Sequence, residues 1–140
     1  MRRSIPRHAI LTLAALLLAA LCATAVAEST ETSVIMGKES FRSYCASCHG
    51  TEARGDGSVA EHLRVKPADL TRISQRNHGE FPADQVFQTI DGRKPARGHG
   101  NRDMPIWGDA FRLTRDNPDE AAVKAKINDL VHFLESIQED

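Results

Sequence analysis

The sequence predicts an all-α fold, and three observations support this prediction. Apolar side chains recur at helical spacing near the C-terminus, at Val123, Ile127, Leu130, Val131, Leu134 and Ile137. Near the start of the chain, Gly37, Phe41 and Tyr44 or Cys45 recur at intervals of three and four residues. No stretch alternates apolar and polar residues for long enough to require a β-strand. We therefore expect helices at both ends of a single domain.

Residues 1–27 have the pattern of an export signal. Arginines in the first seven residues precede the apolar run Ile10–Leu21, and Ala25-Val26-Ala27 provides an A-x-A cleavage site. The apolar run is shorter than the roughly 20 residues that a membrane-spanning helix needs, which disfavours the alternative of an uncleaved anchor. We expect cleavage after Ala27, which leaves residues 28–140 as one exported domain.

The charge of this domain gives no reason to expect a nucleic-acid partner. The 140-residue chain has 18 Lys and Arg against 19 Asp and Glu. Removal of the signal takes away three arginines and no acidic residue, so the domain has a formal net charge of −4. Cys22 leaves with the signal, and Cys45 and Cys48 remain. An exported chain with no other thiol has no disulfide scaffold.

The first helix is expected to begin near Val34 and to run into the segment that contains the two cysteines. Residues 50–57 contain three glycines and predict a loop. Ser58 and Glu61 have the spacing of a capping box, which predicts a short helix after that loop. Pro67–Leu70 predicts a turn that leads into another short helical segment.

The second half of the chain has clearer helix boundaries. Pro82 suits a first helical position, and the apolar residues that follow it predict a helix that ends near Gly92. Residues 93–102 are basic and rich in glycine and proline, which predicts a loop. Asn117 as N-cap, followed by a proline and two acidic residues, predicts a last helix over 118–138.

The run Cys45-Ala46-Ser47-Cys48-His49 is a C-x-x-C-H motif, which marks covalent attachment of a c-type haem. Thiols at this spacing reach the two vinyl groups of one porphyrin, and His49 then becomes the proximal iron ligand. Thioredoxin-like chemistry would need a βαβ context. A structural zinc site usually needs four ligands, and no cysteine follows Cys48. A disulfide between Cys45 and Cys48 would be geometrically tight.

A haem iron with two axial ligands needs one besides His49. The methionines left after removal of the signal are Met36 and Met104. Met36 lies on the helix that leads into the proximal motif. Met104 follows His49 by 55 residues, which is enough chain to cross to the other face of the ring. We therefore expect Met104 to be the distal ligand, and Trp107 to cover an edge of the porphyrin.

Three histidines are alternatives to Met104 as the distal ligand: His62, His78 and His99. His99 is the strongest rival because it lies five residues before Met104. The choice matters chemically. A thioether favours ferrous iron and raises the reduction potential relative to two imidazoles. Either pair fills both axial positions, which suits electron transfer and leaves no site for a substrate.

The sequence resembles the class I, mitochondrial-type c cytochromes of bacteria over most of the mature chain. In that family a glycine and an aromatic residue precede the first haem cysteine by eight and four positions, and here these are Gly37 and Phe41. The family's C-terminal helix has a leucine, an aromatic and an aliphatic residue that match Leu130, Phe133 and Leu134. The resemblance implies a small cytochrome c fold, with these two helices crossing there around one covalent haem.

The resemblance also implies roles outside the helices. The segment Asp103–Gly108 looks like the family's distal-ligand loop. The family holds the proximal imidazole N–H with a proline carbonyl, and Pro67 is the counterpart here. The segment between Pro67 and Met104 is longer than in the mitochondrial proteins. It is more like the subgroup that includes the cytochrome c subunits of terminal oxidases.

We therefore expect a periplasmic, non-enzymatic carrier that passes single electrons between redox proteins. The alternatives are a cytochrome c subunit of a larger oxidoreductase and, with less support, a haem enzyme with an open distal site. The basic residues of the Arg93–Arg102 stretch are expected to steer an acidic partner: Arg93, Lys94, Arg97 and Arg102. The alternative for this stretch is a solvated loop, or a pairing of one arginine with a haem propionate.

Overall fold

The computed structural model describes residues 30–93, 104–114, 116 and 118–139. Among them there are six α-helices and two 3₁₀ turns, and no β-strand, so the all-α prediction is confirmed for the described residues. The α-helices are α1 (described part 30–44), α2 (Ala46–His49), α3 (Ile73–Arg76), α4 (Ala83–Asp91), α5 (Trp107–Arg112) and α6 (Glu120–Ser136). The 3₁₀ turns are Ala60–His62 and Leu70–Arg72.

The internal contacts of the chain divide it into Met1–Thr32 and Ser33–Asp140, and the fold described below is that of the second unit. The expected signal, 1–27, lies outside the described residues. None of the helices in the described ranges is long and apolar enough to cross a membrane.

Helix α1 packs against α6 at Gly37. A Cβ built on this glycine would lie 2.0 Å from the carbonyl oxygen of Asp129 and 2.8 Å from the Cβ of Phe133. One turn further along α1, the ring of Phe41 lies 5.2 Å from that of Phe133. The contact that the sequence suggested between these two helices is therefore present, and the missing side chain of glycine is what permits it.

Helix α6 begins two residues later than predicted. Its N-cap is Asp119, whose carboxylate accepts a hydrogen bond of 2.8 Å from the backbone N–H of Ala122. Pro118 precedes this cap and is not the first helical residue, and Asn117 lies outside the described residues. Asp119 prevails as the cap because its extended backbone aims an anionic oxygen at the free N–H groups of the first turn.

Two other predicted helix starts differ from the structure. The capping box at Ser58 and Glu61 does not start an α-helix, because the segment forms a three-residue 3₁₀ turn whose N-cap is Val59. The backbone N–H of Val59 instead donates to the carbonyl of Ser47, which ties the turn to α2 at 3.0 Å. Pro82 is the N-cap of α4 and not its first residue.

The core lies between α6 and the helices around it. The fully buried large side chains come from α1, α5 and α6, and they are Phe41, Phe111, Val123, Ile127 and Leu130. Val131 and Leu134 are also buried, so the apolar face predicted for the last helix is confirmed from Val123 to Leu134. The helix ends at Ser136, two residues earlier than predicted, and Ile137 is its half-buried C-cap. The face from Val123 to Leu134 forms a large part of the hydrophobic core.

Gln138 and Glu139, which follow α6, bind the backbone of residues 70–74. The side-chain amide of Gln138 donates to the carbonyl of Leu70 at 2.9 Å and accepts from the backbone N–H of Ser74 at 2.9 Å. The backbone N–H of Glu139 donates to the carbonyl of Thr71, and its carboxylate pairs with Arg54. These long-range contacts hold the backbone of residues 70–74 against the residues that follow α6.

Candidate functional site

A cavity of about 750 Å³ lies within the second unit, and its size is in the range of small-molecule and cofactor sites. Its walls come from α1, α2, α3, α4, α6, residues 63–68 and residues 104–107. Apolar side chains such as Phe41, Leu70 and Leu130 form much of the lining. An apolar cavity with a few polar atoms is the usual form of a cofactor site.

The C-x-x-C-H motif forms one wall of this cavity. The backbone N–H of Cys45 donates to the carbonyl of Phe41, and that of His49 donates to the carbonyl of Cys45, both at 2.9 Å. The motif therefore continues the helical path of α1 into α2. Positions three and four apart lie on the same side of a helix, which places Cys45, Cys48 and His49 at the cavity together.

Both thiols are unpaired and half-buried. Burial, together with the neighbouring Cys48, raises the pKa of the Cys45 thiol to about 12. A reactive, thioredoxin-like cysteine needs a lowered pKa, so the environment of Cys45 is the opposite of the one that such redox chemistry requires.

His49 has one ring nitrogen fixed by the backbone. Its Nδ1 lies 3.2 Å from the carbonyl oxygen of Ala68. Because a carbonyl oxygen can only accept, Nδ1 is the donor, and the lone pair remains on Nε2. Burial lowers the pKa of His49, although the bond to Ala68 acts in the opposite direction. A lowered pKa favours the neutral form of the ring, which is the form that binds a metal.

This hydrogen bond corrects the role expected for Pro67. The partner of the imidazole is the carbonyl of the next residue, Ala68. The carbonyl of Pro67 lies instead beside Gly55, where a Cβ would come within 2.3 Å of it. Pro67 lines the cavity. A backbone carbonyl has no side-chain signature, so the sequence offered no signal for Ala68.

Met104 and Trp107 line the same cavity. Met104 is half-buried and packs against the hydrophobic core. The Trp107 ring stacks on Phe111 at 5.3 Å and meets the edge of Tyr44 at 5.7 Å. Lys126 Nζ lies over the rings of Tyr44 and Phe111, so this aromatic cluster is held on its other side by α6.

The sequence offered other methionine and histidine side chains as iron ligands. Those that the structure describes lie outside the cavity. Met36 on α1 is half-exposed and does not line the cavity. The side chain of His62 is 75% exposed, and His78 is an exposed residue, and neither lines the cavity. His99 lies outside the described residues.

Some lining residues had no signal in the sequence. The segment 63–68 contributes Leu63, Val65 and Lys66, and the end of α3 contributes Arg76 and the following Asn77. Sequence patterns suggested only a loop and a short helix here. The path of the chain, held by Gln138 and Glu139, is what brings these residues to the cavity.

Arg93, the first residue of the basic stretch, is not a free surface cation. Its guanidinium contacts the carboxylates of Asp91 and Glu120, and its side chain is 21% exposed. Its positive charge is therefore paired within the fold, and a docking role for Arg93 stays a prediction. Lys94, Arg97 and Arg102 lie outside the described residues, so the docking role of the stretch stays a prediction for them.

Among the described residues, no group of three or more His, Cys, Asp or Glu side chains is placed to share a metal ion. Comparisons of the chain with protein-family models, with curated proteins and with solved structures found no match. Chemically, the cavity offers two thiols that can bond covalently to a prosthetic group. It also offers an imidazole nitrogen and a thioether sulfur, both ligands for transition metals.

Proposed function

We propose that this chain is an exported, periplasmic electron carrier of the class I cytochrome c type, with one c-type haem in the cavity. One observation carries the proposal. Two unpaired thiols, a neutral imidazole with Nε2 free, and a thioether all line a single, largely apolar cavity of about 750 Å³. This donor set fits a covalently attached haem with two axial ligands.

Each of the four side chains has a distinct task in the proposal. Cys45 and Cys48 would hold the group by thioether bonds, and His49 Nε2 and Met104 Sδ would ligate its iron. The haem supplies a one-electron couple when it is bound. The hydrogen bond from His49 Nδ1 to Ala68 orients the imidazole and raises the basicity of Nε2.

The surroundings of these ligands favour electron transfer over substrate chemistry. The apolar lining, with Trp107 and Tyr44 in contact on one side, excludes water from the ligands and lowers the local dielectric. With both axial positions taken by side chains, neither is left for a substrate. Redox proteins are the proposed partners, and a role as a cytochrome c subunit of a larger oxidoreductase would use the same site.

The experiment that tests this proposal is an optical spectrum of protein matured in the periplasm, in both oxidation states. We expect low-spin haem that stays attached after denaturation, and a near-infrared thioether-to-iron charge-transfer band in the ferric protein. Cys45→Ser with Cys48→Ser should abolish covalent attachment, and Met104→Ala should abolish the band. Met36→Ala is the matched control, because Met36 does not line the cavity.

Two other spectra would contradict the proposed ligands. A low-spin spectrum that lacks the band and depends on His99 would mean two histidine ligands and a lower-potential carrier. A high-spin spectrum that changes when carbon monoxide is added would mean an open distal position. That result would favour the haem enzyme over the carrier.

A further inference from the structure

A compact ion-pair network joins α4, α5 and α6 beside the segment that contains Met104. Arg93 Nε and Nη2 donate to Oδ1 of Asp91 at 2.9 and 2.7 Å. The same guanidinium makes a two-pronged contact with Glu120, with Nη1 to Oε2 at 2.9 Å and Nη2 to Oε1 at 2.8 Å. Arg112 adds one further bond to Glu120 at 3.0 Å. We call Asp91, Arg93 and Glu120 the clamp.

The clamp lies directly against the backbone of α5. A Cβ built on Gly108 would lie 2.3 Å from Oδ1 of Asp91 and 2.5 Å from Nε of Arg93. One position beyond α4, a Cβ on Gly92 would lie 3.2 Å from the Cα of Ile106. The end of α4 and the start of α5 therefore meet backbone to backbone, with charged side chains filling the contact.

This arrangement fixes both ends of the stretch between Gly92 and Ile106. Met104 is only two residues before Ile106, so its backbone lies close to the contact between Gly92 and Ile106. Two members of the clamp are shielded from solvent, since the side chains of Asp91 and Arg93 are 12% and 21% exposed, whereas that of Glu120 is 45% exposed. Two-pronged pairing of an arginine adds geometric restraint as well as energy.

We propose that Arg93 is a positioning residue, which holds the Met104 segment against the cavity through the clamp. The inference rests on the proposed function, in which Met104 is an iron ligand. Arg93 was expected from the sequence to face a redox partner, and its contacts assign it an internal role instead. In physical terms, the clamp raises the effective concentration of the thioether at the cavity.

The test is competition between Met104 and free imidazole in the haem-loaded ferric protein. Imidazole binds the iron only when the thioether leaves. The imidazole concentration at which half of the charge-transfer band is lost is the midpoint of this competition. We expect Arg93→Gln to bind imidazole about tenfold more tightly than the wild type, since several charge-assisted bonds are lost. Glu120→Gln, which removes only the α6 partner, should shift the midpoint in the same direction by less.

Two controls separate positioning from general stability. Arg112→Gln removes an ion pair to the same Glu120 but leaves the bonds of Arg93 to Asp91 and Glu120 in place, and should leave the midpoint unchanged. Val131→Ala destabilises a buried position on α6 that does not line the cavity, and should also leave it unchanged.

The outcomes distinguish this inference from the proposed function. Suppose that the wild type has the charge-transfer band while Arg93→Gln and Glu120→Gln have the same imidazole midpoint as the wild type. In that case the clamp does not position Met104, and only this inference is overturned. If Val131→Ala shifts the midpoint as far as Arg93→Gln does, the effect is one of stability and the inference is again wrong. A wild type without the band would overturn both proposals, because there would be no thioether ligation to support.

Discussion

The backbone of Gly37 in α1 lies against the carbonyl oxygen of Asp129 in α6, so that a Cβ on the glycine would come within 2.0 Å of that oxygen. Two helices can approach this closely only where one of them has no side chain. The contact brings the helix that leads into the cysteine motif onto the most buried helix of the fold. This close contact, together with the packing of Phe41 on Phe133, positions the helix that leads into the motif.

Gly37→Ala should destabilise the fold although alanine is the better helix former. We expect a loss of about 1–3 kcal/mol, because the added methyl group forces the two backbones apart. Equilibrium denaturation followed by circular dichroism would measure it. Lys38→Ala, at the exposed neighbouring position, is the control and should change stability by less than about 0.5 kcal/mol. Equal free energies of unfolding for the Gly37→Ala and wild-type proteins would show that the two helices accommodate the methyl group without loss of stability.

Asp119→Ala should weaken the start of α6. The carboxylate of Asp119 accepts the backbone N–H of Ala122, and loss of such a cap costs about 0.5–2 kcal/mol. Asp119→Asn should retain most of the stability, because an amide oxygen can accept the same hydrogen bond. Thermal unfolding of the three proteins at one pH tests this expectation. An alanine variant as stable as the wild type would mean that Asp119 is not the effective cap.

The clamp predicts a stability change in acid. Hydrogen bonding from Arg93 lowers the pKa of Glu120 to about 2, below the usual value for a glutamate in an unfolded chain. Because the folded-state pKa is the lower one, the contribution of Glu120 is complete above about pH 5 and is lost as the pH falls toward 2. Denaturation midpoints of the wild type and Glu120→Gln should therefore converge over that range.

A matched control keeps this pH prediction specific. Glu52→Gln changes an exposed carboxyl group outside the clamp, so its stability difference from the wild type should not follow the same pH course. If the difference between wild type and Glu120→Gln stays constant from pH 7 to pH 2, the ion pair with Arg93 does not contribute to folding.

Met104→Ala should lower the reduction potential of the haem-loaded protein. Under the proposed ligation, loss of the thioether would remove the ligand that favours ferrous iron, and a water or histidine in its place would favour ferric iron. Redox titration with optical detection gives the midpoint potential. Met36→Ala should leave the potential unchanged, because Met36 is half-exposed and away from the cavity. A Met104→Ala protein with the wild-type potential would exclude Met104 as a ligand.

Local patterns were enough to predict the helices at both ends of the domain and the face of α6 that is buried. Periodicity and burial are coupled in a helix, so Val123, Ile127 and Leu130 could be assigned without knowledge of their partners. Helix starts were less certain. Several residues near each start can cap a helix. At α6 the extended backbone of Asp119 decides among them, and at the first 3₁₀ turn the contact of Val59 with Ser47 does.

The sequence by itself also determined that a helix with one apolar face leads into the motif of Cys45, Cys48 and His49. Only the tertiary structure decided which groups surround that motif. The imidazole finds the carbonyl of Ala68, 19 residues away, and Arg93 finds Glu120, 27 residues away. Such contacts depend on how loops close and which backbones fit together. No local preference of the chain encodes that path, so the sequence had no signal for the bond from His49 to Ala68 in place of Pro67, or for the pairing of Arg93 within the fold.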